Sequence, residues 1–329
     1  MNYLGSKIRL SAFIYNTIVE TVEEDISDFV FCDLFAGTGV IGKLFHGKVK
    51  RIISNDREYF SYVINRSLLN GKINSKIIGF IANLNKLKGY PGFIFTEYSE
   101  GGKAGRLYFS KENGQKIDAI RLEIECWYTT GVINENQYLY LLASLLISID
   151  KVANTTAIYG AYLKFLKSTA KKELRIISLE TPKGLSSINE IYNEDSNRLI
   201  QKINGDILYL DPPYNGREYA ANYHLLNTIA LYDKFVPCGV TGLRPYQTSR
   251  YCMKSETENA LWELLQKANF KYIFLSYNND GIISNDTIEK MMRQLGEYKV
   301  AKKSYRRFKS QKAGNSNKTT TEFIHILIK

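Results

Sequence analysis

Two short segments carry the residues best suited to chemistry. The first, Gly37-Thr38-Gly39-Val40-Ile41-Gly42, has G-x-G-x-x-G spacing and follows an apolar run, Phe29 to Leu34, that contains Asp33. A glycine turn between a strand and a helix lets backbone N–H groups approach a ligand closely. With Asp56 just after the next apolar run, it fits the dinucleotide fingerprint. A nicotinamide-dependent oxidoreductase (NAD as cofactor) is one reading of this segment, and an ordinary tight turn is another. Asp33 argues against a pyrophosphate, because a carboxylate at a strand end repels phosphates. It suits a ligand carrying an amino group or a sulfonium. Asp56 is placed to accept from ribose hydroxyls; the plain alternative is that both are solvated strand-end acids.

The second segment, Asp211-Pro212-Pro213-Tyr214, follows the apolar run Ile207 to Leu210. Prolines cannot donate to a sheet ladder, so the strand must stop there, and the residue before a proline is biased to an extended form. The resulting rigid loop offers one carboxylate, one free carbonyl and one aromatic face. Those groups can hold an exocyclic amine and stack on its ring. Tyr219, Asn222, Tyr223 and His224 follow on a helix, where they either line a pocket or pack as core.

The elements that must position these residues alternate. Strand 29–34, helix 40–45, strand 51–54 and a helix bearing Tyr59, Val63 and Ile64 on one face predict a parallel sheet with right-handed crossovers. Residues 71–190 change character and read as an insertion. Within it, 89–114 is rich in Gly, Tyr and Phe and reads as irregular, whereas Leu139, Leu142, Leu146 and Ile149 open a helical pattern over 136–175. The sheet resumes at 207–210. A helix over 219–232, a loop over 239–251, helix 256–268, strand 271–276 and helix 285–295 continue the alternation. The runs 298–305 and 320–328 lack an intervening helix and predict a closing antiparallel pair.

The chain has 329 residues, a net charge of +11, 44% hydrophobic and 23% charged residues, which excludes wholesale disorder. The longest apolar run, Tyr138 to Ile149, is shorter than the roughly 18 residues of a membrane span, and the first residues do not read as an export signal. Four scattered cysteines without a CxxC pair argue against structural zinc or a disulfide framework and favour the cytoplasm. The positive charge suits a polyanion. Lys164, Lys167, Lys171 and Arg175 would share one face of a helix, as a phosphate track or a solvated face. Lys302, Lys303, Arg306, Arg307, Lys309 and Lys312 interleave with Tyr305 and Phe308, a pattern suited to backbone contact plus stacking. Gly242-Leu243-Arg244-Pro245 is a further loop candidate for contact with a polyanion.

Asp33-Leu34-Phe35-Ala36-Gly37-Thr38-Gly39 together with Asp211-Pro212-Pro213-Tyr214 resembles the S-adenosylmethionine-dependent DNA adenine-N6 methyltransferases, and Asn2-Tyr3-Leu4-Gly5-Ser6-Lys7 looks like that family's N-terminal cofactor motif. The motif order is similar to the alpha group of amino-methyltransferases. The resemblance covers about 1–70 and 190–329. It implies an α/β fold with a Rossmann-like class I methyltransferase sheet, mostly parallel with a terminal antiparallel hairpin. The catalytic domain would comprise 1–70 and 191–329, and 71–190 would be a largely helical target-recognition insertion.

The same resemblance implies roles. Tyr3 and Lys7 would contact S-adenosylmethionine; Asp33, Phe35, Gly37 and Gly39 would line its methionine moiety. Asp56 would hold the ribose, and Asp195, within Asn193-Glu194-Asp195-Ser196, the adenine. Asp211 would serve both the cofactor site and the chemistry. There, Asp211 and the Pro212 carbonyl would accept the two N–H bonds of a flipped adenine's amine and Tyr214 would stack on its ring, with no metal and no covalent intermediate. The implied partner is double-stranded DNA, with a restriction endonuclease of the same site as a second. RNA adenine methylation, DNA cytosine-N4 methylation and a catalytically silent DNA-binding protein remain as rivals beside the oxidoreductase.

Overall fold

A computed structural model of the protein describes residues 7–182, 188–306 and 319–329, with backbone alone at 305, 306 and 319. A short turn of helix at Lys7–Arg9 leads into α1 (Ser11–Val22). Then follow β1 (Val30–Asp33), α2 (Val40–Phe45), β2 (Arg51–Asn55) and α3 (Tyr59–Asn70). The inserted segment contributes α4 (Ser75–Lys86), α5 (Phe93–Tyr98), α6 (Lys111–Thr129) and α7 (Glu135–Ile149). The sheet returns with β3 (Ile188–Tyr192), α8 (Ser196–Leu199) and β4 (Asn204–Leu210). The chain ends with α9 (Tyr219–Asn222), α10 (His224–Leu231), α11 (Thr257–Lys267), β5 (Asn269–Asn278), α12 (Asn285–Arg293), β6 (Glu297–Arg306) and β7 (Thr319–Ile328).

The strands form one sheet in the order β3-β2-β1-β4-β5-β7-β6. β3 to β5 run parallel, and β7 pairs antiparallel with both β5 and β6. Because side chains alternate along a strand, the two faces separate cleanly. Phe31, Ile207, Tyr209, Phe274, Ile324 and Ile326 face α1 and α2. Cys32, Leu208, Leu210, Ile273, Leu275 and Leu327 face α8, α11 and α12. A third core joins α4 to α7 with α3 and α10, so the inserted helices share one apolar interior with two helices of the sheet layers.

The inserted segment departs from the sequence reading in its distribution of helix. The stretch read as irregular, 89–114, contains α5 and the start of α6. The helix over 136–175 stops at Ile149. Caps mark the starts: Asn74 accepts from Ile77, Ser110 from Asn113, and Asn134 with Gln137 forms a reciprocal capping box. Beyond α7 the buried Asn154 donates to the carbonyls of Leu107, Leu163 and Phe165 and accepts from Lys167 N, which holds this chain in loops. Lys164, Lys167, Lys171 and Arg175 therefore share no helical face. The edge strand β3 begins inside the segment drawn as insertion, α1 was not anticipated, and the helix read over 219–232 breaks at Tyr223.

Asp118 on α6 fastens the insertion to α10. Its carboxylate accepts from the amides of Gly92 (3.0 Å), Ile94 (2.8 Å) and Phe95 (2.8 Å) at the start of α5, and from the Tyr232 hydroxyl (2.6 Å). Asp118→Ala leaves those donors without an acceptor and should lower unfolding free energy by about 2–4 kcal/mol. Asp118→Asn should lose less, since one oxygen survives. Urea denaturation of both variants checks this, and equal losses would contradict it.

Candidate functional site

The strand order reverses between β1 and β4, and the carboxyl ends of β1, β2 and β4 open there into a crevice, the usual ligand position in an open α/β sheet. Its volume is about 970 Å³, counting the space open to solvent. The walls include Lys7, Asp33, Phe35, Gly37, Asp56, Asp195 and Asp211.

The glycine turn is shaped by its surroundings. Gly37 and Gly39 hold φ of +52° and +75°, a region that costs other residues strain. A Cβ on Gly39 would also lie 2.5 Å from Asn65 Oδ1. Asn65 on α3 donates to Gly37 O (2.9 Å), so the same side chain holds the turn and forbids a larger residue in it. Asn55, buried at the end of β2, donates to Leu34 O and Glu194 O and accepts from Glu194 N, drawing the loops after β1 and β3 together.

Of the acidic residues that line this space, Asp33, Asp56 and Asp211 stand at or just after the ends of β1, β2 and β4. Asp33 is 1% exposed. Its Oδ2 accepts from Gly42 N (3.2 Å), and Oδ1 has no partner among the described residues. Burial, then the neighbouring Asp211, push its pKa to about 8, against the Gly42 amide; Asp56 adds a smaller rise. Asp56 accepts from Gly37 N (2.7 Å) and Glu58 N (2.8 Å), yet burial still raises it to about 7. Asp211 follows β4, with its Oδ1 3.0 Å from the Lys7 ammonium. Burial raises it to about 6 despite that lysine, with Glu322 adding to the rise. Lys7 bridges to Glu322 as well (2.7 Å) and is 7% exposed.

Aromatic groups complete the walls. Phe35 meets Tyr251 edge-on at 5.1 Å. Asp195 caps α8, accepting from Asn197 N and Arg198 N, while still bordering the crevice. Pro213 and Tyr219 line it, whereas Pro212 and Tyr214 do not border it; Tyr214 leans edge-on to Tyr277 at 6.2 Å, and its carbonyl accepts from Ile282 N. Tyr223 and His224 are fully buried in the insertion's core, with His224 Nε2 3.0 Å from Tyr159 O; burial holds that imidazole down to about 4. They belong to packing, not to the crevice.

The sequence reading missed Tyr209, Glu218, Gln247, Ser249, Tyr251 and Cys252, all of which line the crevice. The chain from 247 to 252 crosses it because the Arg57 guanidinium, just after β2, donates to the carbonyls of Gln247 (3.1 Å) and Thr248 (3.2 Å). The Arg-Glu pattern after Asn55-Asp56 was the available signal, but a contact to backbone carbonyls so distant in sequence leaves no local trace.

The basic residues divide. Lys167 spends its ammonium on Thr155 O, and Arg175 pairs with Glu173, whereas Lys164 and Lys171 are exposed. Lys302 and Lys303 are exposed on the edge strand β6, and Tyr305 and Arg306 continue that strand. Tyr3, Arg307, Lys309, Phe308 and Lys312 lie outside the described residues. No described helix is long and apolar enough to cross a membrane.

Residues 3–291 match the family described as D12 class N6 adenine-specific DNA methyltransferase. The chain is 48% identical to the type II methyltransferase M.NlaIII of Neisseria lactamica, over 100% of this chain and 99% of that one. It is 35% identical to the type II methyltransferase M.CviAII of Paramecium bursaria Chlorella virus 1, over 99% and 98% of the two chains. Identity to the type II methyltransferase M.FokI of Planomicrobium okeanokoites is 40% over 94% of this chain, which spans 50% of that protein.

The raised carboxyl of Asp33 has a consequence for stability. It holds its proton in the folded state up to about pH 8, whereas an unfolded aspartate ionises near about 3.9. Between those values the folded state binds more protons, so stability falls as pH rises. Asp33→Asn removes this contribution. Thermal melts from mildly acidic to mildly alkaline pH should show the variant gaining on the wild type as pH rises; parallel curves would contradict the assignment.

Proposed function

The chain belongs to the D12 class of N6 adenine-specific DNA methyltransferases, and from that premise we propose that it uses S-adenosylmethionine to methylate an adenine flipped out of double-stranded DNA at a specific sequence. The observation that carries the reading is the convergence of Asp33, Asp56 and Asp211 on one crevice at the strand ends. The family identity favours adenine in DNA over the cytosine-N4, RNA and oxidoreductase alternatives.

The crevice fits a cationic cofactor. Asp33 is buried with an oxygen unpartnered among the described residues, an arrangement unfavourable alone and favourable beside a sulfonium. S-adenosylmethionine supplies an electrophilic methyl group on that sulfonium. Asp33, Phe35, Gly37 and Gly39 would hold the methionine end. Each Asp56 oxygen has accepting capacity left after its amide bond, enough for the ribose hydroxyls. Asp195 with the Phe35–Tyr251 corner would hold the adenine ring of the cofactor, and Lys7 and Tyr3 would close the site from the N-terminal segment.

The target amine is a poor nucleophile because its lone pair is delocalised into the ring. Asp211 and the Pro212 carbonyl would accept its two N–H bonds and favour a pyramidal nitrogen with the lone pair free. Tyr214 would support the flipped base face to face. A base inside a duplex cannot reach such a pocket without leaving the stack. Catalysis is then positioning and electrostatics, with neither metal nor covalent intermediate. Segment 71–190 would read base edges, while Lys164, Lys171, Lys302 and Lys303 would meet phosphates. A restriction endonuclease of the same specificity is the natural partner, since the relatives above are type II methyltransferases.

Asp211→Ala should reduce methyl transfer about 10²–10³-fold or more. Tyr214→Ala should impair transfer and base capture, and Tyr214→Phe should be milder because the ring face survives. The measurement is single-turnover transfer of labelled methyl to duplex DNA, with the product identified as N6-methyladenine. Near-wild-type transfer by Asp211→Ala would overturn the reading, and equal damage from the two tyrosine variants would remove the stacking role.

A further inference from the structure

The sheet's alternation brings one more charged residue to the transfer site. On the α1/α2 face, Tyr209 leads to Asp211, Phe274 to Ser276, and Ile324 back to Glu322. β4 and β5 pair Leu210 with Leu275, so the next residues, Asp211 and Ser276, stand side by side. Glu322 lies on β7, hydrogen-bonded to β5, and is 1% exposed. Its Oε1 accepts from Ser276 Oγ (2.5 Å) and from the Lys7 ammonium (2.7 Å), which in turn lies 3.0 Å from Asp211 Oδ1. Glu322 does not border the crevice.

A buried ion pair is weak evidence for stability, because apolar side chains of the same volume often do as well. The placement against Asp211 asks for another reason. A lysine paired with Asp211 alone would neutralise it and draw its carboxylate into a closed salt bridge. Among the described residues two carboxylates share the one ammonium, so Lys7 is not spent on Asp211 alone, and Glu322, fixed by Ser276, sets where that ammonium stands. Resting on the reading above, we infer that Glu322 is a positioning residue for methyl transfer: it anchors Lys7 on one oxygen of Asp211 and preserves the other as an acceptor for the adenine amine.

Among the described residues, the charged and titratable groups around Asp211 are Lys7 from the N-terminal segment, Glu322 from β7, Asp33 from β1, Tyr209 from β4, Tyr214 from the loop after it and Tyr219 from α9. Within this set Lys7 lowers the Asp211 pKa and Glu322 raises it. Removing Glu322's charge should therefore move the acid limb of the transfer rate to lower pH, and removing the ammonium should move it to higher pH.

The test is single-turnover transfer against pH for Glu322→Gln, Lys7→Met and Asp211→Asn, with equilibrium binding of S-adenosylmethionine and a thermal melt for each. Glu322→Gln should slow transfer about tenfold or more, the scale of one lost charge-assisted hydrogen bond, with cofactor affinity within about twofold. Its acid limb should move down while that of Lys7→Met moves up. A structural role alone would lower the melting temperature and leave the limb in place. Should Glu322→Gln fail to fold, Ser276→Ala, which frees Glu322 from its anchor, should slow transfer at unchanged cofactor affinity. Wild-type rate and limb in Glu322→Gln, or wild-type rate in Ser276→Ala if only that variant folds, would overturn the inference. Active Asp211→Asn would instead overturn the reading on which it rests.

Discussion

The cost of burying carboxylates without full compensation governs this structure. Asp33, Asp56 and Asp211 stand around one crevice, and burial is the largest influence on each, raising all three. Backbone amides from Gly37, Gly42 and Glu58 offset part of that cost, and Lys7 offsets part at Asp211. What remains unoffset is met by protons, which these carboxyls hold more tightly than a free aspartate does. That residue of unfavourable energy distinguishes the crevice from a nucleotide-phosphate site, where the glycine turn would face an anion and Asp33 would repel it.

Rigid surroundings keep the site from relieving this tension by rearranging. Asn65 holds the glycine turn from α3, Asn55 draws together the loops after β1 and β3, and Arg57 fastens the chain at Gln247 and Thr248 across the opening. The insertion shares its apolar core with α3 and α10. That segment is therefore packed directly on α3, which carries Asn65, and on α10, the second helix after the Asp-Pro-Pro-Tyr loop.

Much of this was legible in the sequence because the deciding signals are local. A strand running into glycines, a strand stopped by two prolines, and two final strands without a helix between them each state their geometry within a few residues. The antiparallel end and the meeting of Asp33, Asp56 and Asp211 followed from such signals. The insertion was less legible because its helices depend on tertiary partners: α5 begins where Asp118, distant in sequence, accepts three of its amides, and the chain after α7 leaves the helix because Asn154 is satisfied by loop carbonyls. The family resemblance of the N-terminal segment implied that Lys7 contacts the cofactor; its pairing with Asp211 and Glu322 joins distant parts of the chain and leaves no periodic trace.

On the proposed reading, the buried carboxyls of the crevice hold protons that they release to solvent when a cationic ligand binds. Calorimetric titration of S-adenosylmethionine at about neutral pH, in buffers of different ionisation enthalpy, measures the protons exchanged on binding. With the Asp33 pKa about 8 and that of Asp56 about 7 in the free protein, a bound sulfonium favours their charged forms, so binding should release protons. The neutral thioether S-adenosylhomocysteine should release fewer, and Asp33→Asn should narrow the difference between the two ligands. Binding without proton release, or with the same release for both ligands, would contradict the account.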